Sequence, residues 1–136
     1  FHLGHQNLGI AYLKTKRYQD ALRYFELALE LCPDDAPSHW GKGNALLKLK
    51  RFDHALDSLN KAIVLKPDYA EAYSDRGVVL KELKSYEKAV ESYEKALAIK
   101  PDLVEAWSNR GNALNELKQY QEDCNGSLSP SGVLTS

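Results

Sequence analysis

The chain has 136 residues, of which 43% are hydrophobic and 27% are charged, a composition typical of folded globular proteins and unlike that of disordered or collagen-like chains. Its 18 basic residues nearly balance 19 acidic ones, and this net charge of -1 excludes a strong global attraction to nucleic acid or to an anionic membrane. No stretch approaches the roughly 18 apolar residues of a membrane helix, and no signal peptide is visible. Cys32 and Cys124 match no metal or redox spacing, so a cytoplasmic protein is predicted. The absence of methionine suggests a trimmed fragment.

An internal repeat of 34 residues runs along the chain. Its most regular positions are a glycine and a proline, separated by positions that are apolar or small in every copy. A period of this length is typical of a pair of helices that stacks on the next pair. The recurring residues are the glycines Gly9, Gly43, Gly77 and Gly111, the prolines Pro33, Pro67 and Pro101, and the aromatic residues Tyr18, Phe52, Tyr86 and Tyr120.

Each repeat predicts two antiparallel helices, because apolar and small residues follow helical spacing over 70–83 and again over 86–99. A glycine inside a helix costs about 1 kcal/mol relative to alanine, so the recurring glycine indicates close approach of a neighbouring helix. Each unit ends at a proline and restarts at a pair such as Asp68 and Glu71, which has capping-box spacing. The predicted full repeats are 2–35, 36–69 and 70–103.

The fourth repeat, 104–124, is predicted to be partial. It supplies a first helix, but Asp123 stands where the next small residue is due, and the Ser/Gly/Pro-rich tail 125–136 is not expected to sustain a helix. Trp107 and Leu114 would then lack the helix that normally packs on them. An uncapped apolar edge of this kind predicts a homo-oligomer.

The recurring glycine, proline, aromatic and small residues of the 34-residue repeat resemble the pattern of the tetratricopeptide repeat family. The resemblance implies an all-α fold, a right-handed α-solenoid of antiparallel helix pairs with three full repeats and a partial fourth, spanning residues 1–124. It also implies a concave groove lined by the first helix of each pair. His5 and His39 stand in the aromatic column of the first two repeats. The complete motif is Tyr73, Gly77, Leu80, Ala89, Tyr93, Ala96 and Pro101.

The groove is predicted from helical spacing around each glycine, at positions that differ between repeats. Its N-terminal half is apolar and its C-terminal half acidic, so we expect a partner segment with an apolar anchor and with basic or neutral polar residues. Trp40 is either such an anchor or a displaced core aromatic. Asn7, Asn44, Asn109 and Asn112 resemble the asparagine ladder that lines the superhelix of O-linked N-acetylglucosamine transferases and of similar bacterial arrays. This resemblance implies binding of extended protein segments. The predicted groove residues are Asn7, Ile10, Leu13, Lys14, Trp40, Asn44, Lys48, Asp75, Val78, Lys81, Asn109 and Asn112.

No catalytic or nucleotide-binding motif occurs, so the chain is predicted not to be an enzyme and to carry no cofactor. His2 and His5 share a helix face, but no cysteine or acidic residue recurs at a useful spacing, and no metal site is predicted. Acidic residues outnumber lysines along the groove, which argues against nucleic acid.

The predicted function is a scaffold that binds a protein or peptide partner in the groove. A self-assembly module, a substrate-recruiting fragment of a larger enzyme and an RNA reader are the alternatives. Related domains that hold chaperone tails resemble one another in a carboxylate clamp of lysines, asparagines and an arginine, and only Asn44 fits it here. In the two registers the clamp positions hold Gln6, Ile10, Gly41, Glu71 and Asp75, or Trp40, Asn44, Asp75, Glu105 and Asn109.

Overall fold

The computed structural model describes the backbone of residues 2–128 and the side chains through Cys124. This part of the chain contains α-helices and no strand. The predicted spans 70–83 and 86–99 are confirmed to within one residue. The helices are α1 (His2–Lys14), α2 (Tyr18–Leu31), α3 (Ala36–Lys48), α4 (Phe52–Leu65), α5 (Ala70–Glu82), α6 (Tyr86–Ile99) and α7 (Val104–Leu128).

Consecutive helices pack on each other along the whole described chain, and each first helix also touches the first helix of the next repeat. The pairs α1–α2, α3–α4 and α5–α6 are therefore repeats of one solenoid, with α7 stacked at the end. The fold is all-α, as predicted. Because α1, α3, α5 and α7 are successive neighbours, their outer faces form one continuous surface.

A left-handed lysine closes each of the three helix pairs. Lys16, Lys50 and Lys84 have φ angles of 62°, 63° and 65°. In the third repeat the amide of Lys84 donates to Lys81 O at 2.9 Å and the amide of Ser85 to Leu80 O at 2.8 Å. This is the double hydrogen bond of a Schellman turn. A side chain in this conformation costs roughly 1 kcal/mol, so packing of the second helix must hold it in place.

The predicted capping boxes at the start of the first helices are wrong. The residue that caps α3 is Asp35, whose carboxylate accepts from Ser38 N at 3.1 Å. At the next repeat the N-cap is Tyr69, without a side-chain cap, and Asp68 lies one residue too early. Tyr69 is only 9% exposed because it packs in the core cluster between repeats. The helix begins after it, at the same repeat position as α3 and α7.

Large side chains of the second helices pack against the glycines of the first three repeats. A Cβ on Gly77 would lie 2.5 Å from Tyr93 Cε1, and one on Gly43 would lie 2.7 Å from Leu59 Cγ. Phe25 fills the same space against Gly9 and also reaches the backbone of α3 at Gly41. Tyr93, Phe25 and Leu59 are fully buried. The recurring glycine therefore has the packing role that its position predicted.

The fourth repeat has one long helix. α7 continues without a turn past Lys118, the position at which the other repeats reverse. Nothing lies within 4 Å of a Cβ built on Gly111. Asp123 and Ser127 occupy the columns of Ala89 and Tyr93. A reversal would therefore bury no large apolar side chain there to offset the cost of a left-handed conformation at Lys118.

The predicted loss of helix at the tail is wrong for residues 125–128, because α7 extends to Leu128. Continuing an existing helix adds one hydrogen bond for each residue fixed, whereas a new turn needs tertiary contacts. The remaining tail, 129–136, lies outside the described residues. The predicted tail boundary at 124 is thus not marked by the end of the helix.

Alanine substitutions at Gly77 and Gly111 should have opposite effects on stability. Gly77→Ala forces the ring of Tyr93 to move, and overpacking of this kind costs about 1–3 kcal/mol. Gly111→Ala meets no neighbour, so it should stabilise the chain by up to about 1 kcal/mol through helix propensity. Urea unfolding followed by circular dichroism measures both. Equal changes in the free energy of unfolding for the two substitutions would show that the contact of Tyr93 with Gly77 does not limit packing.

Candidate functional site

The predicted groove residues all lie on the first helices, α1, α3, α5 and α7. These helices are successive neighbours, which is the arrangement that the predicted groove requires. The exposure of the predicted residues divides them into two groups. Exposed residues are Asn7, Lys14, Lys48 and Asn112, and partly buried residues are Ile10, Leu13, Trp40, Asn44, Asp75, Val78, Lys81 and Asn109.

Three of these residues meet at the boundary between the second and third repeats. Asp75 Oδ2 accepts a hydrogen bond from Trp40 Nε1 at 2.8 Å and another from Asn44 Nδ2 at 2.8 Å. Trp40 and Asn44 are one helical turn apart on α3, so both donors face α5 together. We call Trp40, Asn44 and Asp75 the Asp75 cluster. Both donors are neutral and converge on the same carboxylate oxygen.

Burial raises the pKa of Asp75 to about 6. Desolvation is the main cause, and the nearby charge of Glu105 acts in the same direction. The hydrogen bonds from Asn44 and Trp40 and the charge of Lys48 lower the pKa but do not compensate. The groove therefore holds a carboxylate that is ionised at neutral pH at a cost to the folded state. A cation brought by a ligand would relieve this cost.

Trp40 is part of the packing as well as of the surface. Its ring centroid lies 6.0 Å from that of Tyr69, and its side chain packs against the core cluster. The indole is thus held by Tyr69 on one side and by its hydrogen bond to Asp75. This placement supports the core interpretation of Trp40.

A shallow cavity of about 270 Å³ opens where α3, the start of α4 and α5 meet. Leu47, Phe52 and Val78 supply its apolar wall, and Lys48 lies on its edge. Lys50 and Glu82 complete the lining. Sequence reasoning missed Phe52 because the aromatic column at the start of the second helices was assigned to packing only.

The two ends of the groove are partly used by internal contacts. At the N-terminal end, Ile10 and Leu13 pack against the core cluster. At the acidic end, Glu71 Oε2 accepts from Lys100 Nζ at 3.1 Å. Desolvation would raise the pKa of Glu71, but its own backbone N–H and Lys100 prevail and lower it. Glu71 is therefore already neutralised within the chain.

Other acidic side chains of the groove have no such partner. Glu82, Glu105 and Glu116 form no ion pair with any residue that the structure describes. Together with Asp75 they keep the C-terminal half of the groove negative. This surface can accept hydrogen bonds and attract cations, and it offers no nucleophile beside a general base.

The histidines of the aromatic column replace its rings in packing. His39 Nε2 lies 2.7 Å from Pro33 O, and Trp107 Nε1 donates to Pro101 O at 2.8 Å in the fourth repeat. The two contacts join the same repeat positions, and because a carbonyl oxygen can only accept, His39 donates through Nε2–H as the indole does. His5 lies beside the Tyr24 ring, with 6.0 Å between centroids.

Asp75→Asn should stabilise the protein at neutral and alkaline pH. The amide oxygen can still accept from Trp40 and Asn44, while the desolvation cost of the charge disappears, so a gain of about 1–3 kcal/mol is expected at pH 8. The folded-state pKa of about 6 lies above the ordinary value of 3.8. The wild type therefore regains this stability as pH falls through that window, and the difference between the proteins should vanish near pH 4.

Urea unfolding at a series of pH values measures this difference. Asp57→Asn, at an exposed position of α4, is the matched control and should change stability by less than about 0.5 kcal/mol. A constant difference between Asp75→Asn and the wild type from pH 4 to 8 would contradict the raised pKa.

Comparison with known proteins places the repeat in a family. A family model described as TPR repeat matches residues 43–84 and 80–118, and one described as tetratricopeptide repeat matches residues 2–35. No curated protein matches the chain. None of the helices in the described residues is both long and apolar enough to cross a bilayer.

Solved structures share the fold over most of the chain. The first TPR domain of human RPAP3 is 26% identical, with a TM-score of 0.84, and the match covers 89% of this chain and 95% of that one. The first TPR of Spaghetti (RPAP3), bound to the HSP90 peptide SRMEEVD, is 26% identical with a TM-score of 0.82 and coverage of 86% and 93%. MamA is 28% identical, with a TM-score of 0.79 and coverage of 86% and 68%. The chain belongs to the tetratricopeptide repeat family.

Proposed function

We propose that this chain is an interaction module that binds an extended peptide in the groove formed by α1, α3, α5 and α7. The observation that carries the proposal is the Asp75 cluster, a partly buried carboxylate that lies one helical turn from Val78, which lines the cavity. A carboxylate that destabilises the fold is a sign of functional use. The TPR domain of Spaghetti, 26% identical, carries a peptide in its structure.

The chemistry of the groove selects a peptide with one apolar and one basic side chain. The cavity of about 270 Å³ beside Val78 and Phe52 suits an apolar side chain. Asp75, with Glu105 nearby, suits a lysine or arginine. The exposed amides of Asn7 and Asn112 have donors and acceptors for a peptide backbone.

The acidic chaperone tail is a poor fit for this groove. Gln6, at a clamp position, already donates through Nε2 to Asp35 Oδ2 and to Ser38 Oγ at 3.3 Å. Asp75 occupies the position at which the clamp needs an arginine. A terminal carboxylate there would meet a like charge in a desolvated site, which is a strong barrier to binding.

Selection of a random peptide library on the immobilised chain should enrich sequences that pair an apolar residue with a lysine or arginine. Asp75→Asn should weaken the best selected peptide about tenfold, because a hydrogen bond to a charged group contributes about 1.5–3 kcal/mol. Fluorescence anisotropy of labelled peptides measures the affinities. Labelled SRMEEVD should bind at least tenfold more weakly than the selected peptide.

Asp57→Asn removes an acidic charge outside the groove, on α4, and should leave the affinity unchanged. Enrichment of peptides with acidic C-termini, or micromolar binding of SRMEEVD, would contradict the proposal.

Self-assembly is a second candidate, favoured by the uncovered face of α7. Val104, Trp107 and Leu114 share this side of the helix and are 77%, 53% and 37% exposed. In the other repeats a second helix covers this face and seats a large side chain on the glycine, whereas Gly111 has none. A helix from a second copy would bury these side chains.

Trp107→Glu tests self-assembly directly. Sedimentation velocity should show a concentration-dependent dimer for the wild type and a monomer for Trp107→Glu, since a charge in an apolar interface is costly. Val64→Glu is the matched control, because Val64 is 78% exposed and lies on α4 in the second repeat, whereas α7 belongs to the fourth. A wild-type monomer at all concentrations would exclude this candidate.

Tetratricopeptide domains are in general non-catalytic interaction modules, and we infer that this array performs no chemistry of its own. Recruitment of substrate to a larger enzyme is compatible with the same groove. A cytoplasmic location is supported by Cys32 and Cys124, which form no disulfide with each other.

A further inference from the structure

A second cluster of polar residues lies at the junction of the first two repeats, outside the groove site. It joins His2, on the first turn of α1, to Cys32 and Asp35 in the loop between α2 and α3. One ligand atom from each residue lies within 4.8 Å of the other two. All three residues are partly buried.

We propose that His2, Cys32 and Asp35 bind a divalent transition-metal ion, zinc by preference. Imidazole nitrogen, thiolate sulfur and carboxylate oxygen are the three donor types that proteins use for Zn²⁺. The sequence predicted no metal site because these residues show no motif spacing. The stacking of α1 against the following loop brings them together.

The carboxylate of Asp35 is already oriented for this role. Its Oδ2 accepts from Gln6 Nε2, from Ser38 Oγ at 2.5 Å and from Ser38 N at 3.1 Å. Its Oδ1 faces His2 Nε2 at 3.9 Å. Hydrogen bonds of this kind fix the orientation of metal-binding carboxylates. Asp35 can therefore ligate through Oδ1 while Oδ2 keeps its three donors.

The later repeats show that the fold does not require these residue types. The corresponding loops have the same backbone hydrogen bond, from Cys32 N to Ala28 O at 2.9 Å and from Lys66 N to Ala62 O at 2.9 Å. At the three ligand positions those junctions carry alanine, lysine and an apolar or aromatic residue. The corresponding sets are Ala36, Lys66 and Tyr69, and Ala70, Lys100 and Leu103.

Binding needs only a small movement of side chains. Bond lengths of about 2.0–2.3 Å to zinc place tetrahedral ligand atoms roughly 3.3–3.8 Å apart. The His2–Asp35 separation of 3.9 Å is already close to this range. Three protein ligands leave the fourth position for water or for a group from a partner. The thiol of Cys32 loses its proton when the metal binds.

Calorimetric titration of Zn²⁺ into the reduced full chain tests the proposal. The wild type should bind one equivalent, and Cys32→Ser and His2→Ala should each weaken binding tenfold or more. Cys124→Ser is the matched control and should bind like the wild type. Asp35 is left unchanged because it also caps α3. Titration with Co²⁺ should give a thiolate charge-transfer band in the wild type and in Cys124→Ser only.

A positioning role predicts a smaller effect for Ser38→Ala, which removes the hydrogen bond from Ser38 Oγ to Asp35 and keeps the one from the backbone N–H, so Zn²⁺ binding should weaken by less than about tenfold. Thermal unfolding of each metal-free variant shows whether it is folded. If Cys32→Ser does not fold, alkylation of the unmutated chain replaces it. Zn²⁺ should then slow the reaction of Cys32 with iodoacetamide and leave that of Cys124 unchanged.

Equal Zn²⁺ affinity of the wild type and Cys32→Ser would overturn the proposal, as would binding that depends on His2 alone. Equal protection of both cysteines would do the same. Absence of any saturable Zn²⁺ binding to the wild type would also refute it.

Discussion

The structure depends on one repeated contact, the seating of a large side chain from a second helix on a glycine of a first helix. Tyr93 on Gly77 and Leu59 on Gly43 leave no room for a Cβ. This contact sets how closely the two helices approach, and burial of the large side chains supplies much of the driving force. It also holds the left-handed lysine turns, since an unfavourable backbone conformation persists only where surrounding contacts enforce it.

The fourth repeat shows what happens when this contact is absent. Lys118 occupies the turn position that Lys84 occupies in the third repeat, yet α7 passes through it as a helix. The local sequence of the turn is thus insufficient to reverse the chain. The second helix must bring a side chain for the glycine, and the columns at Asp123 and Ser127 do not. The result is an exposed apolar face on α7.

The same regular stacking creates two places where polar side chains meet across repeats. Residues that face the next repeat are buried enough to lose water, so a polar residue there needs a partner or a ligand. Asp75 finds two neutral donors and keeps a pKa near 6, and Asp35 finds three donors on one oxygen beside His2 and Cys32. The Asp35 cluster replaces the packing that Tyr69 and Leu103 provide at the same position of the later repeats. Local departures from a repeated pattern are where function is expected.

The sequence by itself determined the helix pairs and their stacking order, because a period of 34 residues with helical spacing allows few other arrangements. It did not determine how the first helices are capped, since α5 begins after Tyr69 and not after the Asp68 that capping-box spacing suggested. Nor did it determine the length of α7. Only the tertiary structure decided that Trp40 and Asn44 meet Asp75 and that His2 meets Cys32 and Asp35. Those contacts join different repeats. They depend on how packing rotates and shifts neighbouring helices relative to one another, and the 34-residue period carries no information on that.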